Sequence, residues 1–208
     1  MTDTAATYPA TLSVDYAGHS DRVKTLFRWF MAIPILIILG LLLGTQATAE
    51  AEEGAKQVYG VGLVIAPTAL MLLFRQKYPR WWFDWNLALT RFGTRVAAYM
   101  LFLRDEYPST DEEQAVHLDV AYPNATELNR WLPLVKWLLA LPHLVVLAFL
   151  WVAALCVSIV AWMVIVVTER YPQELFDFVV GVMRWSLRVN AYCGLLVTDV
   201  YPPFSLSA

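Results

Sequence analysis

Charge is what this sequence has least of. Asp, Glu, Lys and Arg make up 16% of its 208 residues and hydrophobic residues 59%, where soluble domains carry about 25% charged residues. The apolar excess is gathered in long runs, which points to a bilayer rather than to one large soluble core. A formal net charge of −3 argues against general nucleic-acid binding. The two cysteines, Cys156 and Cys193, have no metal-ligand spacing and read as small hydrophobes. The histidines His19, His117 and His143 are scattered, and no Walker loop, H-E-x-x-H, G-x-S-x-G or paired-cysteine motif occurs. The expectation is therefore no cofactor, no metal and no catalytic residue. A cleavable leader is not expected either, because the first apolar run starts only near Leu26 and no A-x-A-like site follows it.

What the chain does have is a stretch that it contains twice. Tyr78 to Tyr99 reads YPRWWFDWNLALTRFGTRVAAY, and Tyr171 to Tyr192 reads YPQELFDFVVGVMRWSLRVNAY. Tyr-Pro, Phe-Asp, Arg91, Arg95-Val96, Ala98 and Tyr99 recur without a gap 93 positions later. Flanking motifs recur too. Leu12, Val14 and Tyr16 match Leu118, Val120 and Tyr122, while Trp29, Ala32 and Pro34 match Trp137, Ala140 and Pro142 at an offset of 108. Each copy closes on Asp-x-Tyr-Pro, at Asp105 and at Asp199, which reads as an exit turn. The chain thus divides into a mobile tail (1–7), a first membrane repeat (8–108), a linker (109–116) with the acidic run Asp111-Glu-Glu, and a second membrane repeat (117–204).

The fold class expected is an all-α integral membrane protein of two parallel repeats. Each repeat is a transmembrane helical hairpin plus an interfacial amphipathic helix. The alternating segments 11–16 and 117–122 pair as a small two-stranded ribbon or serve as extended linkers. Spans fall near 26–44 and 58–74, separated by the acidic loop Thr45–Gln57 with Glu50, Glu52 and Glu53. In the second copy that loop is missing and 137–168 is continuously apolar. It reads as a hairpin turning near Trp151, with a single tilted helix after an interfacial segment as the alternative. The matched prolines Pro34 and Pro142 imply a kink in both copies. Arg22, Lys24, Arg28, Arg75, Lys77, Arg80, Arg130, Lys136 and Arg170 flank the apolar runs on one side. The positive-inside rule then places both termini and 78–130 in the cytoplasm of a multi-pass protein.

On the repeated helix Asp84, Ala88, Arg91 and Arg95 share one face, as do Asp177, Gly181, Arg184 and Arg188. The small residue at the centre leaves room for another backbone. Two readings stand open. In one, Asp84 pairs with Arg91, Asp177 pairs with Arg184, and the other arginines snorkel to phosphates. In the other, the four guanidiniums converge on a lipid headgroup, an anionic ligand or a partner carboxylate, with Tyr99 and Tyr192 beside them. His143, in an apolar run, reads as a neutral, hydrogen-bonded histidine, since Ile35 stands in its place in the first copy. A functional role for it is the alternative.

The run RYPQELFDFVVGVMRWSLRVNAYCGLLVTDVYPPF from Arg170 to Phe204, with Val135-Lys-Trp-Leu-Leu-Ala-Leu-Pro-His143, resembles bacterial membrane proteins of domain-of-unknown-function family 4389. The first copy is a looser version of the same pattern. The resemblance implies the bacterial inner membrane and supplies no activity or catalytic residue. The function expected is non-enzymatic: a scaffold or accessory subunit contacting membrane lipids or partner proteins, in a complex or a homo-oligomer. A small transporter or channel for an anionic solute or lipid is the alternative.

Overall fold

Alternation decides the sheet. The computed structural model describes residues 8–42, 56–110 and 112–207; the tail 1–7 and the acidic loop as far as residue 55 lie outside it. Strands β1 (Ala10–Val14) and β2 (Val116–Val120) both bury every second residue and pair antiparallel. The ribbon is real, and its register is centred on Leu12 opposite Leu118, with Ala10 opposite Val120 and Val14 opposite Val116.

Six helices make up most of the rest of the described residues. They are α1 (Arg22–Leu42), α2 (Lys56–Arg75), α3 (Arg80–Met100), α4 (Pro133–Leu139), α5 (Leu141–Thr168) and α6 (Gln173–Val189), which runs on into a π turn at Asn190–Gly194. Pro79 and Pro172 stand just before α3 and α6 in extended conformation, where a residue without an N–H is tolerated. The ribbon lies on α3 and α6, through contacts of β2 with α3 and of β1 with α6. The apolar helices cover the other side: α1 packs on α3, and α5 packs on α6. Trp82 on α3 donates its indole N–H to Thr68 of α2 (2.7 Å). The core therefore sits between a polar-faced ribbon and an apolar layer of α1, α2 and α5.

The segment 137–168 is not a hairpin turning near Trp151. It forms the short helix α4, a break at Ala140 just before Pro142, and then one unbroken 28-residue helix. Between His143 and Thr168 there is no Gly, Pro, Asn or Asp to turn the chain or to satisfy a turn's backbone groups, so the helix simply continues. At 1.5 Å per residue, α5 is about 42 Å long. The expected paired kink also differs between the halves, since α1 continues through Pro34. Among the described residues two helices, α1 and α5, are long and apolar enough to cross a membrane, and the apolar part of α2 there, Ile65–Arg75, is shorter.

Matched positions adopt matched backbones. Gln76 and Glu169, which open the turns into α3 and α6, have φ of 45° and 58°. Phe102 and Leu196, after those helices, have φ of 63° and 57°. The sequence offset grows from 93 to 94 between these two pairs, and the extra residue is accommodated by the π turn. Leu103 N–H reaches Ala98 O, whereas Val197 N–H reaches one residue further back, to Ala191 O.

Candidate functional site

The arginine faces of α3 and α6 point toward the ribbon, and their partners are mostly backbone. Arg91 donates through Nε to Leu118 O (2.9 Å), and Arg184 does the same to Leu12 O (2.8 Å). Each guanidinium thus holds the central residue of the strand belonging to the other half of the chain. Arg95 donates to Ser109 O (2.9 Å), and Arg188 binds Ser205 O (3.3 Å) and Ser207 O. Burial pulls the Arg188 guanidinium below its ordinary pKa, with Arg184 adding to the effect and Tyr8 opposing it.

The expected carboxylate pairs do not form. Asp84 meets Arg80 one turn earlier, at 3.8 Å with both groups exposed, a geometry of little energetic consequence. Arg91 instead finds Asp119 on β2 (3.2 Å), and Asp177 is exposed. Arg91 and Arg95 line one cleft of about 470 Å³ beside the ribbon, together with Ala88, His117, Asp119 and Glu113; Arg184 and Arg188 are not among its lining. In the second half the corresponding space is filled. A Cβ on Gly181 would lie 3.0 Å from Leu206 Cβ and 3.1 Å from its carbonyl oxygen, so the small residue does admit another backbone, that of the chain's own C-terminal segment.

Tyr99 and Tyr192 belong to a different pair of clusters, built on Arg28 and Lys136, basic residues that in the sequence mark only topology. Arg28 is 1% exposed and donates to Tyr99 O (2.9 Å); its guanidinium carbon lies 4.7 Å from the Tyr99 ring, and it is ion-paired with Asp105. Lys136, also 1% exposed, lies 2.7 Å from Asp199 Oδ1 and from Thr198 O, and 5.1 Å from the Tyr192 ring. The second carboxylate oxygen is used alike in both: Asp105 accepts from the N–H of Asp21 (2.8 Å), and Asp199 from the N–H of Asn129 (2.6 Å). The Asp-x-Tyr-Pro motif is therefore a counter-ion as well as an exit turn. Its Tyr107 and Tyr201 sit edge-on to Tyr99 and Tyr192, at 5.9 and 5.8 Å. Burial pushes the Lys136 ammonium below its ordinary pKa, against the pull of Asp199. The signal was available in the sequence, because the offset of 108 places Arg28 on Lys136.

His143 is fully buried and accepts a hydrogen bond from Trp185 Nε1 at Nδ1 (3.1 Å), while its ring stacks on Phe204 at 3.9 Å. The ring is thus packed and hydrogen-bonded within the fold. Its matched residue, Ile35, packs in one cluster with Phe92, Ala32 and Val96. Phe92 matches Trp185, so a polar pair in one half stands where an apolar pair stands in the other. Among the described residues no group of His, Cys, Asp and Glu side chains is placed to hold a metal ion.

Residues 131–205, from just before α4 to the C-terminal segment, match the model of a family described as Domain of unknown function (DUF4389). No curated protein and no solved structure matches the chain.

Proposed function

We propose that this chain, which belongs to DUF4389 through residues 131–205, is a tandem pair of membrane units in the bacterial inner membrane. It works there without a catalytic centre of its own, as a scaffold or accessory subunit that binds lipids and partner proteins. The observation that carries this reading is the one-sidedness of the apolar layer. Val145, Phe149, Val152, Ile159, Met163 and Val167 are exposed at helical spacing along α5, and no charged residue occurs between Leu141 and Thr168. On α1, Phe27, Phe30, Ile33, Ile37 and Leu41 are exposed in the same way. So large an apolar surface needs a cover, and the flanking Trp29, Trp131 and Trp137 suit the headgroup zone. The opposite surface presents Thr11, Ser13, His117 and Asp119.

In this reading α5 lies along the cytoplasmic leaflet instead of crossing it. The four residues 169–172 turn the chain back into α6, which packs on α5 and carries Arg184 and Arg188 under the ribbon. An upright α5 would drag those arginines toward hydrocarbon at about 2.5–3.5 kcal/mol each. Both ends of the described chain, at Tyr8 and at Ser205–Ser207, contact Arg188 on α6, which supports a cytoplasmic location for both termini. Anion transport between the halves is the weaker alternative, because Arg91, Arg95, Arg184 and Arg188 are each engaged by backbone carbonyls.

Alkaline carbonate washing of inner-membrane vesicles tests the embedding; release of the protein overturns it. Spin labels at Val145→Cys, native Cys156 and Val167→Cys test the orientation. Similar depths are expected, and a steady passage through both leaflets overturns the in-plane helix. Mild detergent extraction should retain lipid or protein partners, and a monodisperse protein stripped of both would sink the accessory role.

A further inference from the structure

Between α3 and α6, roofed by Leu39 of α1, Ile65 of α2 and Trp151 of α5, lies a cavity of about 450 Å³, inside the range of small-molecule sites. Its two walls differ. The α6 wall is apolar at Met183, Leu187 and Leu195 and carries the Asn190 amide at its π-turn end. The α3 wall carries Asn86, Thr90 and Thr94, all facing the void from one helix side. Matched positions on α6 hold Val179, Met183 and Leu187, so the polarity is not a property of the helix in general.

The polar wall offers acceptors and few donors. Thr90 Oγ1 gives its proton to Asn86 O (2.8 Å), and Thr94 Oγ1 gives its proton to Thr90 O (2.8 Å), so both hydroxyls keep only lone pairs for the void. Asn86 is 2% exposed; its amide Nδ2 donates to Trp82 O (2.7 Å), and its Oδ1 is buried without a partner. A buried acceptor left unmade costs about 1–3 kcal/mol. Ser186, on the other wall, is already used twice, donating to Val182 O (2.9 Å) and accepting from Trp151 Nε1 (3.0 Å). No ionisable side chain lines the cavity among the described residues.

We propose that this cavity binds a neutral, single-chain amphiphile with a hydroxyl head, the head donating to Asn86 and the chain lying against α6. The inference rests on the membrane reading above for its source of ligand, and on the cavity's own chemistry for its selectivity. A carboxylate or phosphate head finds no cation there among the described residues, and an alkane leaves the acceptor wall unsatisfied.

Gly93 makes the test clean. It lies within α3 at the cavity, and a Cβ built on it meets nothing within 4 Å, so a side chain can start there without a clash and a large one projects into the void. Equilibrium binding of radiolabelled hexadecanol, hexadecane and hexadecanoate is measured on the full chain in detergent. Hexadecanol is expected to bind saturably, with the alkane and the carboxylate about tenfold weaker. Gly93→Phe is expected to abolish binding with its melting temperature kept, Gly93→Ala to bind as the parent does, and Asn86→Leu to bring the alcohol down to the alkane. Equal binding of alcohol and alkane, or unchanged binding by Gly93→Phe, overturns the proposal. Because the protein is already solubilised, this outcome is independent of the carbonate wash that tests embedding.

Discussion

Lys136 and Asp199 form an ion pair of 2.7 Å in which the ammonium is almost wholly shielded from solvent. Arg28 and Asp105 repeat the pairing in the other half. Removing one member of a buried pair strands the other charge, at about 3–5 kcal/mol. Lys136→Met should therefore lower unfolding free energy in micelles by that order, and Lys136→Met with Asp199→Asn should recover part of it. Lys136→Arg should be tolerated, since Arg28 occupies the matched setting. A full-length chain insensitive to Lys136→Met would remove the pair from the list of stabilising features.

The hydrogen bond from Trp185 to His143 predicts coupling between the two positions. Trp185→Phe leaves Nδ1 of a buried imidazole without its donor, and His143→Ile leaves the indole N–H without its acceptor, each at about 1–3 kcal/mol. The double substitution recreates the Ile35 and Phe92 pairing of the first half. A double-mutant cycle by chemical denaturation should return a coupling of about 0.5–3 kcal/mol; simple additivity would contradict the pairing.

Gly181 sets the fit of the C-terminal segment. Gly181→Val puts methyl groups where Leu206 Cβ and O now lie within 3.0 and 3.1 Å, and overpacking of this kind costs about 1–3 kcal/mol. Limited proteolysis should cut the segment after residue 201 faster in Gly181→Val and in Arg188→Ala than in the parent. Equal protection in all three would show that neither contact holds it.

Alkali should loosen the fold through its buried phenols. Burial pushes the hydroxyls of Tyr78 and Tyr171 up to about 12, from an ordinary 10.0. The folded chain then holds protons that the unfolded chain gives up, so stability present below pH 10 is lost as pH rises toward 12. The Lys136 ammonium, depressed by burial, works in the opposite direction. Denaturation midpoints across this window should fall less steeply in Tyr78→Phe and Tyr171→Phe, although Tyr78→Phe also loses its bond to Leu195 O (2.9 Å).

Local patterns carried much of this in the sequence, and partners carried the rest. The alternation at 11–16 and 117–122 and the Tyr-Pro starts of α3 and α6 were legible because each depends on neighbouring residues. The arginine faces were legible as faces, yet their acceptors were not, because the carbonyls of Leu12 and Leu118 come from distant strands. Asp105 and Asp199 looked like turn residues since their cations lie far back in the chain. The supposed bend at Trp151 failed for a different reason. A uniformly apolar run has no periodic contrast, so two short helices and one long one look alike until the α6 surface selects between them.

The ribbon's register, with Leu12 facing Leu118 and each strand fastened by an arginine of the opposite half, makes the halves mutually dependent lids. Severing the linker between them should give fragments that do not fold singly and need a second strand to close on. A fragment holding the second half alone lacks its cover strand, and the shape of its own strand is the shape it is missing. Two such fragments could close on each other as twins, without any first half.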